Sequence, residues 1–149
     1  MRLTISVLFL VLGLLASTSR ADARTRTDAD TAKVNKLLVH ADKISAILEK
    51  NLDQPKKALT ALDKYLKKNR KKMKKLVADL VVVINELDEE PRGDLARDLM
   101  TSEKTQRFMK ALDAFKSKYE ADATWQPKID ARLEELMTEG KKLVDAIMQ

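Results

Sequence analysis

His40 is the only imidazole in the chain, and no thiol is present at all. These are the two side chains that most often act as base, nucleophile or metal ligand, so the chemistry open to the chain is narrow at the outset. Ser45, Ser102 and Ser117 have one histidine to share among them, and none stands in the G-x-S-x-G turn that exposes a serine nucleophile. The acid pairs Glu89 with Glu90 and Glu134 with Glu135 are adjacent in sequence. They point to different sides of a helix and do not converge on one substrate. No Glu-x-x-His is present, which removes the usual di-iron site of helical bundles. A haem held between His40 and a thioether would draw on Met73, Met100, Met109, Met137 or Met148. Methionine at helical spacing is more simply core filler, and a rim histidine with one hydrogen bond accounts for His40. No catalytic residue, metal site or cofactor is therefore expected.

The residues that could act by charge are concentrated in one place. DKYLKKNRKKMKKL, Asp63 to Leu76, sets Lys64, Lys67, Lys68, Arg70, Lys71, Lys72, Lys74 and Lys75 within fourteen residues. Counting Lys56 and Lys57 and subtracting Asp63, this half of a helix carries +9. Like charges four apart, such as Lys64 with Lys68 and Lys67 with Lys71, each destabilise a helix by ~0.2–0.5 kcal/mol. No acidic residue nearby in the sequence relieves that cost, and an anionic ligand would. Two other motifs have simpler explanations. Arg92-Gly93-Asp94 spells a cell-adhesion tripeptide but reads as a glycine before an Asp helix cap. Asp88, Glu89, Glu90 and Asp94 lack the alternating spacing of a calcium loop.

Compartment narrows the anion. Met1 and Arg2 precede an uncharged apolar run, Leu3 to Leu15, followed by ASTSRADA. This is the pattern of a secretory signal peptide cut after Ala21 or Ala23, and the run is short for a spanning helix. The reading divides the chain into a signal peptide, 1–23, and a helical domain, 24–149. Arg2, Arg20 and Asp22 leave with the leader, which lowers the net charge from +6 to +5. Outside the basic half-helix the remainder sums to −4. An exported protein, periplasmic or extracellular, meets phospholipid headgroups, acidic polysaccharides or acidic proteins. Nucleic acid is disfavoured by export and by Tyr65 being the one base-stacking aromatic in the stretch.

The elements that must position this face are helices. Gly is limited to Gly13, Gly93 and Gly140 and Pro to Pro55, Pro91 and Pro127, and no strand pattern follows the leader. The first segment, about Asp28 to Leu52, repeats Val34, Leu37, Leu38, Ala41, Ile44 and Leu48 at three and four spacing. The second, about Asp53 to Leu87 with Asp53 as its cap, carries a seam from Leu59 to Leu87 interrupted only by Asn69. It is expected to run unbroken for ~50 Å against ~37 Å for the first. A third segment is expected from about Asp94 to Ala121, with a bend at TSEKTQ, and a fourth follows a Thr124 cap and Pro127. Gly140 lies on the fourth seam, where it would let a neighbour approach closely. Residues before Asp28 are expected to form a loose arm.

Four amphipathic helices with short connections make an all-α, up-down-up-down four-helix bundle with a long second helix. The mismatch in length leaves a second candidate surface. LVVVI, Leu80 to Ile84, is apolar all round. If helices two and three overhang the others, Val81, Val82, Val83 and Leu87 with Leu95, Leu99 and Met100 form an exposed apolar tip. Two functions follow. The first is a non-enzymatic binding protein that engages an anionic envelope component through the basic face of helix two. The alternative is a structural or chaperone-like protein that associates through the apolar tip, including as a homo-oligomer.

Overall fold

The computed structural model describes residues 24–149, so the expected signal peptide lies outside the described residues. Within them the chain is helical, with five helices: α1 Asp28–Lys50, α2 Pro55–Glu86, α3 Glu89–Thr101, α4 Glu103–Lys118 and α5 Gln126–Ile147. α1 packs against α2 and α4, and α2 also packs against α5. Among the described residues no helix is long and apolar enough to cross a membrane.

α1 starts where its residues satisfy the free amides of its first turn. Thr27 accepts a hydrogen bond from the Asp30 amide, and the Asp30 carboxylate reaches back to the Thr27 amide, a reciprocal capping box. NLDQP turns the chain into α2, with Pro55 in the first turn. The residue at the cap is Gln54, not Asp53, and its side chain makes no capping bond. Asn69 does not break α2, and its side-chain Nδ2 donates to the Tyr65 carbonyl one turn back at 2.9 Å.

The third segment differs from expectation in both start and continuity. α3 begins at Glu89, and Pro91 sits in its first turn, where a missing amide costs nothing. Arg92-Gly93-Asp94 is therefore helical, and Asp94 caps nothing. The segment then divides at Ser102, whose extended backbone ends α3 and whose hydroxyl accepts from the Thr105 amide to start α4. Thr124 likewise lies in the turn before α5, whose cap position is Trp125. Four helices are replaced by five, so the expected four-helix count does not hold.

The core forms two clusters along the long axis. One gathers Ile44, Leu48, Leu62, Phe115, Ile129 and Leu133 near the α1–α2 turn. The other, at the far end, joins Val34, Leu80 and Ile84 to residues of α3 and α5. Here the apolar tip is corrected. Val83, Leu87, Leu95 and Leu99 are buried in this cluster, Val81 packs on it and Met100 is half-buried. Val82 alone of the seven is exposed, at 55 %. Leu95 and Leu99 of α3, which packs against α1 and α5, join this cluster, so no apolar overhang is left. Gly140 is also corrected: a Cβ there would meet nothing within 4 Å. Gly140→Ala is therefore expected to raise stability by ~1 kcal/mol through helix propensity alone, read as a higher urea midpoint. An unchanged or lower midpoint would indicate that a neighbour does need the space.

The arm before α1 is pinned. The Arg24 amide donates to the Glu86 carbonyl at 2.9 Å, and the Asp88 amide donates to the Arg24 carbonyl at 3.1 Å, which straps the α2–α3 corner. The Arg24 guanidinium donates to Asp30 at 2.7 and 3.3 Å, and Asp30 is 1 % exposed. Those bonds hold the Asp30 carboxyl well below the usual carboxylate range, against the opposing effect of its burial. A carboxyl whose folded pKa is depressed contributes stability above its unfolded pKa of about 4 and loses it as pH falls. Asp30→Asn is expected to cost about 2 kcal/mol at pH 7, in the range for hydrogen bonds to charged groups. The gap from the parent protein should narrow in urea melts at pH 3. An equal gap at both pH values would show that the carboxylate charge is not what the site uses.

Candidate basic face and groove on the second helix

All eight basic residues of the stretch are exposed on α2, as the opposite placement of Leu62, Leu66 and Met73 requires. They do not form one uniform set. Arg70 pairs with Glu135 and Lys74 with Glu139 at 3.5 Å, both acids being on α5. Lys75 pairs with Asp79 one turn along its own helix at 2.9 Å. Lys64, Lys67, Lys68, Lys71 and Lys72 have no acidic partner among the described residues. The absence of acids inferred from local sequence thus holds for five of the eight.

Helical geometry explains the division. At about 100° per residue, Lys64, Lys68, Lys71 and Lys75 fall within about 60° of one another, with Lys67 and Lys72 on the two flanks. Arg70 and Lys74 lie just beyond the Lys67 flank, by about 60° and 20°, on the side toward α5, where Glu135 and Glu139 stand one turn apart. Asp63, on the same side as Arg70, is likewise taken up by Arg132 of α5 at 2.7 Å. Asp63, Glu135 and Glu139 thus pair across the α2–α5 contact, and Lys64, Lys67, Lys68, Lys71 and Lys72 keep their charge.

That stripe borders a groove of about 360 Å³ between α1 and α2. Lys36, Val39 and His40 of α1 face Lys72, Lys75 and Leu76 of α2 across it, with Asp79 at the edge. Val39 is 46 % exposed. His40 is half-buried, and its Nδ1 lies 2.6 Å from the Tyr65 hydroxyl in a hydrogen bond. Burial, with the Lys72 charge adding to it, pushes the His40 pKa down, so the imidazole is neutral at pH 7. Burial pushes the Tyr65 phenol up. Among the described residues no group of three or more His, Asp or Glu side chains is placed to hold a metal.

Lys36, Val39 and Leu76 were absent from the candidate site drawn from sequence. Val39 carried the available signal: it is a large apolar residue off the buried stripe of α1, at helical spacing from Lys36 and beside His40. No family model, curated protein or solved structure matches this chain.

Proposed function

We propose that this protein is an exported, non-enzymatic binding protein that engages an anionic envelope component through the basic stripe of α2. The observation that carries the reading is the separation of charges on that helix. Arg70, Lys74 and Lys75 have acidic partners, whereas Lys64, Lys67, Lys68, Lys71 and Lys72 share one exposed side without any among the described residues. Repulsion along such a stripe destabilises the helix, and an anion laid against it removes the repulsion and gains Coulomb attraction at several points. In this reading α3 and α4 together occupy the place of one helix in an up-down-up-down bundle, which leaves the stripe on an outer surface. The alternative of association through an apolar tip is weakened by the burial of Val83, Leu87, Leu95 and Leu99.

Cosedimentation with anionic and neutral vesicles over a salt series tests the proposal, with an acidic polysaccharide as a parallel arm. Binding to anionic vesicles is expected at low salt and should fade toward 1 M, where the screening length falls to ~3 Å. Polysaccharide binding without vesicle binding would move the partner from lipid to glycan. Binding to neither would overturn the proposal and make the stripe a solvated face.

A further inference from the structure

We infer that the groove between α1 and α2 binds a single-chain anionic amphiphile, with its headgroup between Lys36 and Lys72 and its chain on Val39 and Leu76. The inference deepens the proposed function and rests on its reading of the α2 stripe as a surface for anions. It adds that the site also takes an apolar chain.

Three features of the groove select this occupant. Its rim is cationic, since Lys36 and Lys72 have no acidic partner among the described residues and Lys75 is already neutralised by Asp79. Its apolar lining, here called the floor, comes from Val39 of α1 and Leu76 of α2. An acidic polysaccharide or a free phosphate would meet the lysines and leave that floor against water, which an acyl chain would cover. Its volume, about 360 Å³, is near the lower end of the range for small-molecule sites, roughly 300–1,000 Å³. That space accommodates one short acyl chain.

His40 gives a direct readout because it is the only histidine, so its imidazole proton signals are unique in the spectrum. The groups facing it are Tyr65 and Lys72 from α2 and Lys36 from α1, with Lys75 and Asp79 further along the groove. An anion seated between Lys36 and Lys72 offsets the Lys72 charge and favours the imidazolium. The His40 pKa therefore rises on binding, and binding tightens as pH falls through that pKa.

The experiment titrates the purified protein with decanoate below its micellar concentration, following His40 by proton NMR. Acetate serves as the anion without a chain and decyl maltoside as the chain without a charge. Decanoate is expected to bind saturably, at least tenfold tighter than either control, with an upward shift of the His40 pKa. Val39→Arg fills the floor while adding positive charge at an exposed helical position that accepts a long side chain. It should lose decanoate binding at least tenfold and keep binding to anionic vesicles. Replacing Lys64, Lys68 and Lys71 by Gln should do the reverse, weakening vesicle binding and leaving decanoate binding intact. Equal affinity for decanoate and acetate, or decanoate binding untouched by Val39→Arg, would overturn the inference. Decanoate binding without any vesicle binding would uphold the groove and overturn the surface reading of the stripe.

Discussion

Replacing Lys67, Lys68, Lys71 and Lys72 together by Gln is expected to weaken binding to anionic vesicles by about 4 kcal/mol, at ~1 kcal/mol for each lysine near a charged surface. That is roughly a thousandfold. The four residues have no acidic partners among the described residues, so no ion pair within the chain must be broken before they meet an external anion. Removing them also relieves repulsion along α2, so helicity and thermal stability should be unchanged or slightly higher. The informative control is the double replacement of Arg70 and Lys74 by Gln. These two side chains are engaged by Glu135 and Glu139 of α5, and exposed pairs of this kind contribute ~0–1 kcal/mol to stability. Their loss should trim stability slightly and change vesicle binding far less than loss of the four lysines. Cosedimentation of the two variants side by side reads the difference. A double-variant loss of about half that of the four-lysine variant, the same for each charge removed, would mean that total charge, and not the unpaired stripe, governs binding.

How far this division was legible in the sequence follows from the range of the interactions involved. The three and four spacing of apolar residues located α2 to within two residues of its ends, because the pattern is a property of the helix itself. The exposure of the eight basic residues followed from the same pattern. Which of them are paired did not, since Glu135 and Glu139 are more than sixty residues away and meet Arg70 and Lys74 only through the packing of α5 on α2. Gly93 and Asp94 imitate a helix boundary, whereas the real boundaries are Asp88 and Ser102. Ser102 followed by Glu103 is itself an N-terminal signal, a capping hydroxyl with an acid in the first turn, and it was hidden inside a stretch read as a bend. The buried tip was missed for a related reason: Leu95 and Leu99 join Leu87 in one cluster with residues of α1 and α5, a long-range packing that the local pattern does not carry. Arg24 was illegible for a different reason. Its strap across the α2–α3 corner depends on backbone bonds to Glu86 and Asp88, which no local pattern announces.

Phe115→Ala is expected to cost about 3–5 kcal/mol, the range for removing a buried aromatic and leaving its cavity. Phe115 is fully buried on α4 and meets the Tyr119 ring edge to face, with centroids 5.4 Å apart. Tyr119 in turn donates its hydroxyl to the Leu52 carbonyl at 2.8 Å, so the pair ties the end of α4 to the turn between α1 and α2. The loss should lower the melting temperature by roughly 15 °C for a domain of this size. Val82→Ala, at an exposed position on α2, should stay within ~0.5 kcal/mol and serves as the comparison. Circular dichroism melts of the two variants make the measurement. A loss below 1 kcal/mol at Phe115 would mean that α4 is not seated on α1 as described. The groove would then be in doubt as well, because α4 packs along α1, and α1 presents Lys36, Val39 and His40 to the lysines of α2.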